Sequence, residues 1–371
     1  MLKKIIFIIL LFVLNINILA TEDKKIEEIK ETTYRAFILG DKKGNIFYSE
    51  NEKEMYPLAS VTKVMTLMLT YDAINDGRIK FTDKIKVDKV MAEMGGSRIW
   101  MKEGSEISVE DLIKATAIYS ANNAAYGLAK AVGGNIDTFV EMMNRKAEEL
   151  GFGEEINYNT PTGLPPHMTG RGQDVGSALG VYKLSLSALK YPDYIKVAGT
   201  KETGLNYLGK AKIYNRNKLL GKDGIYGIKT GHLDNWYNIT VASNLKNMDS
   251  IVVVLGAETE KERDEKILEG IKLFHEDYKI VEFLNKNIPV GNVSVTNGTS
   301  KIVELYPNKN YKNIVKNDSN AKFIIYRKEN IKAPLYKNDE VGKYELYIDE
   351  KLVNEGKLIV KENIEEIEKI F

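Results

Sequence analysis

The sequence predicts an α+β fold: an antiparallel sheet sandwiched by helices, followed by a small all-β domain. Three observations lead there. Strand-like runs stand at both ends of residues 34–278 with helical patterns between them, whereas a parallel βαβ repeat would alternate the two throughout. Beyond Tyr278, short alternating apolar runs separated by turn residues replace the helical period. The 371 residues, 43% hydrophobic and 28% charged, suit two globular domains rather than a disordered or polytopic membrane chain.

The first twenty residues read as a separate piece. Lys3 and Lys4 precede an unbroken apolar run from Ile5 to Leu14, and Ile18-Leu19-Ala20 places a small residue before Thr21. The run is half of the ~20 apolar residues that a bilayer span needs, so residues 1–20 are expected to be a secretory signal peptide. Its loss removes two lysines from 53 basic residues against 52 acidic ones, leaving 51 against 52, or −1.

Residues 21–278 are expected to form the first domain. Tyr34–Leu39 and Asn45–Tyr48 flank Asp41-Lys42-Lys43-Gly44 and read as a β-hairpin. Val61–Ile74 is apolar around most of its circumference, the pattern of a buried helix. Ser108-Val109-Glu110-Asp111 resembles a capping box opening a helix through Ile118. A further helix should run from Asp137 to Leu150 and stop at Gly151. Gly224–Lys229 and Tyr237–Ser243 look like paired strands and Ser250–Leu255 like a third. Asp264–Tyr278 reads as an amphipathic helix with Ile267, Leu268, Ile271 and Phe274 on one face.

Residues 279–361 carry the alternation of a β domain at Val293/Val295, Ile302/Leu305, Phe323–Tyr326 and Tyr344/Leu346/Ile348. Pro289-Val290-Gly291 and Asn297-Gly298 supply turns. Residues 362–371 read as a short amphipathic tail, with Ile364, Ile367, Ile370 and Phe371 on one side.

Composition narrows the chemistry. A formal charge of +1 does not suit a nucleic-acid binder. The absence of cysteine removes disulfides, thiolate metal sites and a cysteine nucleophile, and three histidines make a histidine-rich metal site improbable. No metal or cofactor is expected. A serine can instead be activated by a lysine held partly neutral. Ser60-Val61-Thr62-Lys63 puts the two side chains one helical turn apart, at a helix N-terminus whose unpaired N–H groups suit an oxyanion.

Taken singly, such motifs are cheap. Ser-x-x-Lys recurs at Ser187/Lys190, Ser243/Lys246 and Ser319/Lys322, and Ser-x-Asn at Ser49/Asn51 as well as Ser120/Asn122. Order and context separate them. Only Ser60 is followed by a Ser-x-Asn (Ser120-Ala121-Asn122) and then by Lys229-Thr230-Gly231, the chain's one Lys-Thr-Gly.

That ordered trio resembles the three signatures of penicillin-binding proteins and class A β-lactamases. Leu58-Ala59-Ser60-Val61-Thr62-Lys63-Val64-Met65-Thr66 is similar to the nucleophile segment of low-molecular-mass D-alanyl-D-alanine carboxypeptidases. Gly227–His232 is similar to their third motif. Asn215-Arg216-Asn217 lies at the matching distance before it. Ile331–Leu335 with Val341-Gly342 resembles their C-terminal β domain. The resemblance covers about residues 34–361 and implies a β-lactamase/transpeptidase-like catalytic fold. The chain departs from it at Ser177-Ala178-Leu179-Gly180, where many members read Ser-Ala-Arg-Asp, and at Glu258, where some place an arginine.

The resemblance implies a bacterial cell-envelope enzyme acting on peptidoglycan stem peptides and acylated by β-lactams. Ser60 would attack the penultimate D-alanine carbonyl, Lys63 would take its proton, and Ser120 would pass a proton to the leaving amine. Asn122 could hold Lys63 and the substrate amide. Lys229 and Thr230 would bind the terminal carboxylate, with Arg216 as a helper, and Gly231 leaves room for substrate along an edge strand. The backbone N–H groups of Ser60 and His232 would form the oxyanion hole. A class A β-lactamase would need a second base, for which Glu155-Ile156-Asn157-Tyr158-Asn159 is a loose fit, and a non-catalytic penicillin sensor is the third reading. His167 reads as a surface residue, and Trp100 and Trp236 as packing residues. The acidic polar side of the 362–371 tail argues for, at most, weak membrane-surface association.

Overall fold

The structure is a computed structural model that describes residues 2–7, 33–209 and 211–367. It divides into two compact units, Glu27–Phe274 and His275–Phe371, the second including the N-terminal strand Leu2–Phe7.

The first unit is built on a five-stranded antiparallel sheet. Its strands are β1 (Ala36–Gly40), β2 (Ile46–Glu50), β3 (Ile225–Leu233), β4 (Trp236–Leu245) and β5 (Met248–Ala257), in the order β3-β4-β5-β1-β2. The inner strands are buried on both faces, which is why β5 reads as a near-continuous run of Ile, Val and Leu. Their alternation still sorts the faces. Ile251, Val253 and Leu255 join Ala36 and Ile38 in one helical core. Val252 and Phe37 meet the helix α6 (Glu260–Asp277), where Gly270 leaves no room for a Cβ. That helix starts earlier than the apolar face at Ile267–Phe274 indicates, because its first turn is charged.

The helical core surrounds α1 (Lys63–Asn75), which follows a 3₁₀ turn at Ala59–Thr62 and buries ten of its residues, Lys63 among them. Such a helix has no solvent face and sits in the middle of its layer. Around it pack α2 (Val109–Ala117), α3 (Asn122–Gly133), α4 (Ile136–Glu149) and α5 (Ala178–Ala188). Neither α3 nor α5 is among the helices expected from the sequence.

At the start of α2, the Ser108 hydroxyl accepts from the Asp111 N–H at 3.1 Å, as the capping reading requires. The reciprocal arm is used differently, since the Asp111 carboxylate accepts from the N–H groups of Asn206 (3.2 Å) and Tyr207 (2.9 Å). Ser108→Ala should cost about 1 kcal/mol of stability. Chemical denaturation of the variant beside wild type measures this, and an unchanged midpoint would show that the cap contributes nothing.

The second unit is all-β apart from the end of α6. Its strands are β6 (Tyr278–Leu284), β7 (Gly291–Thr296), β8 (Ile302–Pro307), β9 (Tyr311–Lys316), β10 (Ala321–Lys328), β11 (Ile331–Lys332), β12 (Glu340–Ile348) and β13 (Lys351–Ile359). Val293, Leu305, Phe323, Ile325, Tyr344 and Leu346 form its core.

The tail expectation is corrected. Residues 362–367 form no helix: Ile364 bridges Leu335 and is buried in the core, and Glu366 bridges Gly298. A residue that buries one side chain against a sheet follows the strand period, so the three- and four-residue spacing of the isoleucines was misleading. Residues 368–371 lie outside the described residues, as does most of the expected signal peptide. Of residues 1–20 only Leu2–Phe7 is described, as a strand antiparallel to β10 with Leu2 opposite Lys328.

Candidate active site

The three motifs, far apart in sequence, converge at one end of α1. Ser60 sits in the 3₁₀ turn, one turn before Lys63. The segment leading to it is tied to the sheet by Asn238 of β4. The Asn238 amide donates to the carbonyls of Pro57 (2.8 Å) and Leu58 (3.1 Å) and accepts from the Gly256 N–H at 2.8 Å. Ala59, just before the nucleophile, has φ +48°, and Ser120 has φ +64°. Left-handed backbone at non-glycine residues costs of order 1–3 kcal/mol each, and both instances flank the same cleft.

Lys63 is completely buried and donates three hydrogen bonds: to Ser60 Oγ (2.7 Å), Asn122 Oδ1 (2.8 Å) and the Thr162 carbonyl (2.6 Å). Burial, and then the charge of Lys229, hold its pKa well below the ordinary lysine value, while the Asp174 carboxylate pulls it back up. A lysine held down in this way can be neutral beside a serine hydroxyl and accept its proton.

Lys229 lies in mid-β3 rather than at a strand end, because β3 runs on to Leu233 in register with β4. It donates to Ser120 Oγ (2.8 Å) and to the Thr230 carbonyl (2.8 Å). Burial and the nearby Arg216 and Arg263 push its pKa down to about 7. The structure therefore holds two serine–lysine pairs, Ser60–Lys63 and Ser120–Lys229, with Asn122 joined to the first.

Asn122 is placed as expected toward Lys63. Its amide nitrogen is already bonded to the Gly95 carbonyl at 2.9 Å, which leaves one N–H for a substrate. Gly231 is where β3 passes the nucleophile segment, and a Cβ there would lie 2.8 Å from the Leu58 carbonyl. Arg216 stacks its guanidinium 4.2 Å above the Tyr119 ring and lines the cleft. The His232 ring stacks on Tyr237 at 4.2 Å and bonds the Asp234 carbonyl at 2.8 Å, not Ser60.

Ser60, Ser120, Asn122, Arg216, Thr230, Gly231 and His232 all line one cavity of about 970 Å³, together with Arg263, which α6 contributes. Its lining carries Arg98, Arg216, Lys218 and the buried Arg263 against Asp234 and Glu260, with Lys218 and Arg263 both paired with Glu260. That balance suits a ligand ending in a carboxylate.

His167 is exposed, as expected of a surface residue, and lines the cleft. Two expectations change here. Trp100 is 68% exposed and not packed, whereas Trp236 does pack, against Tyr56. Glu155 is paired with Lys183 at 2.5 Å and is absent from the cavity lining, so it does not present a second base to Ser60. Sequence reasoning missed Asn238, Arg263, Asp174 and the Thr162 carbonyl. None belongs to one of the three motifs; Thr162 lies in the segment Thr160–Leu164 that resembles a carboxypeptidase loop, but a backbone carbonyl has no side-chain signal to mark its role.

Comparison with known proteins agrees with the geometry. A family model described as D-alanyl-D-alanine carboxypeptidase matches residues 22–259, and one described as penicillin-binding protein 5, C-terminal domain, matches residues 278–366. The chain is 31% identical over 350 residues to D-alanyl-D-alanine carboxypeptidase DacF of Bacillus subtilis, covering 92% of this chain and 88% of the relative. It is 30% identical over 353 residues to DacC of Escherichia coli, covering 90% and 84%. Penicillin-binding protein 5 of Haemophilus influenzae superposes with a TM-score of 0.68 at 25% identity, over 91% of this chain and 99% of that one.

Proposed function

We propose a residue-level route for this chain, which belongs to the D-alanyl-D-alanine carboxypeptidase family and is a serine-type D-alanyl-D-alanine carboxypeptidase. The observation that carries the route is the buried Lys63 Nζ 2.7 Å from Ser60 Oγ, at the mouth of a cleft lined by Arg98 and Arg216.

A peptidoglycan stem peptide lies along the edge strand β3, with its terminal carboxylate on Lys229 and Thr230 and with Arg216 beside it. Ser60 Oγ attacks the penultimate D-alanine carbonyl carbon while neutral Lys63 takes the hydroxyl proton. The developing oxyanion faces the backbone N–H groups of Ser60 and His232. As the C–N bond breaks, Ser120, oriented by its 2.8 Å bond from Lys229, delivers its proton to the departing D-alanine nitrogen and is reprotonated with the proton Lys63 took from Ser60, so that Lys63 is neutral again. Water then attacks the Ser60 ester, and Lys63 takes its proton and returns it to Ser60 Oγ. A β-lactam enters the same way, but its leaving nitrogen stays tethered and obstructs the water.

Residues 1–20 direct export, on the strength of their charged start, apolar run and small residue before Thr21, and the mature enzyme works in the cell envelope. Among the described residues no helix is long and apolar enough to cross a membrane. Any membrane-surface association through residues 362–371 is weak, since four glutamates stand against one lysine after Lys361 and Ile364 is taken up by the sheet core.

Two measurements test the assignment. Purified enzyme should release D-alanine from a peptide ending in D-Ala-D-Ala. Penicillin should add its whole mass to the peptide containing Ser60 and stay there for minutes. An adduct on another serine, or one that turns over within about a second, would overturn the route in favour of a β-lactamase. A stable Ser60 adduct with no D-alanine release would favour a penicillin sensor.

A further inference from the structure

We propose that Asp174 is a positioning residue for the reacting lysine: its carboxylate clamps the turn that presents the Thr162 carbonyl to Lys63 and places a buried negative charge behind that turn. The inference rests on Ser60 as nucleophile and Lys63 as its base.

Asp174 is fully buried, just ahead of α5. Its Oδ1 accepts from the N–H groups of Asn159 (2.5 Å) and Thr160 (2.8 Å), and its Oδ2 from the Thr160 hydroxyl (2.6 Å). The Thr160 hydroxyl oxygen accepts in turn from the N–H groups of Thr162 (3.2 Å) and Gly163 (2.8 Å). One carboxylate therefore holds, through one hydroxyl, the two residues that border the nucleophile pair. The Thr162 carbonyl accepts from Lys63 Nζ, and Gly163 lies against the Ala59 carbonyl. The backbone of Asp174 reaches the other side of the pair, where its carbonyl accepts from the Leu58 N–H at 3.0 Å.

A clamp alone does not require a charge. Asparagine could still accept both backbone N–H groups at Oδ1, losing only the bond from the Thr160 hydroxyl, whose two lone pairs are already taken by the Thr162 and Gly163 N–H groups. A carboxylate at this site adds an opposing charge for Lys63. The charged and titratable groups facing the pair are Lys229 from β3, which disfavours the Lys63 ammonium, Asp174, which favours it, and the buried Tyr158 phenol beside Asp174. Burial raises the Asp174 pKa to about 6 against its hydrogen bonds, so the carboxylate is largely ionised at neutral pH and begins to lose its charge just below it. The Asp174 charge thereby opposes, as the smallest of three effects, the depression that burial and Lys229 impose on Lys63.

The test is the rate of Ser60 acylation by penicillin, followed by intact mass from about pH 5 to 9, for wild type, Asp174→Asn and Asp174→Ala. Wild type should show an acid limb where Lys63 loses its proton. Asp174→Asn should keep its plateau within about tenfold and move that limb to lower pH by about one unit, because the charge that stabilised the ammonium is gone. Asp174→Ala should lose the clamp as well, with a plateau down by about 30-fold or more. A limb in Asp174→Asn that coincides with that of wild type would overturn the inference while leaving the function standing. An Asp174→Ala plateau equal to that of wild type would overturn the clamp. If Asp174→Ala does not fold, the limb of Asp174→Asn decides alone. A wild-type protein that penicillin does not acylate at Ser60 at any pH would overturn the proposed function first, and this inference with it.

Discussion

Lys63→Ala should reduce the rate of Ser60 acylation by about 10³-fold, within the 10² to 10⁴ that a positioned general base contributes. No other neutral amine stands ready, since Lys229 is bonded to Ser120 and to its own strand. The stability change should be small by comparison, because two effects oppose each other. Removing the lysine strands the acceptors at Asn122 Oδ1, Thr162 O and Ser60 Oγ, at about 1–3 kcal/mol for a buried group left unmade. It also releases the cost of burying an amine whose pKa the fold holds down. Mass spectrometry after penicillin treatment, with a thermal melt of the same sample, separates the outcomes. A folded Lys63→Ala that acylates at the wild-type rate would remove Lys63 from the mechanism. A variant that acylates slowly only because it is unfolded would show it in the melt.

Gly163→Ala should be nearly as damaging, by a different route. Gly163 has φ +77°, and a Cβ there would lie 1.9 Å from the Ala59 carbonyl oxygen and 3.0 Å from the Ser60 nitrogen. Both contacts are with backbone, so no side chain can swing aside to relieve them. Left-handed strain and overpacking together should cost about 3 kcal/mol or more. The 3₁₀ turn or the 160–163 turn must move. Either motion displaces the Ser60 N–H or the Thr162 carbonyl, and an oxyanion donor out of place costs about 10²-fold or more. Gly170→Ala is the control: its φ is +67°, yet nothing lies within 4 Å of the added carbon, so it carries the backbone strain without the collision. Should Gly163→Ala acylate as fast as Gly170→Ala, the close approach at Ala59 has no catalytic role.

Both effects follow from how Lys63 is surrounded, and that surrounding shows which parts of the protein are local in sequence. The Ser60–Lys63 spacing is a property of one helical turn, so the pair and its hydrogen bond could be anticipated from four residues. The same holds for the Ser108 cap, for the Gly151 stop and for the apolar runs that mark β1, β4 and β5 as strands. Chemistry at Ser120 and Lys229 was legible for a different reason: each motif packs several functional groups into three residues, and their order along the chain is itself a signal.

By itself the sequence determined the α+β class, the nucleophile and its lysine, and the positions of the two partner motifs, because each depends on neighbours within a turn or a strand pair. Tertiary structure alone decided that Lys229 serves Ser120, and that Asn238, Asp174 and Arg263 brace the cleft. It also decided that Ile364 enters a sheet core instead of lining a helix, and that Glu155 is spent on Lys183. The physical reason is common to all of these. A buried polar group must find a partner, and which partner it finds depends on what the close-packed interior brings within about 3 Å, a distance unrelated to separation along the chain.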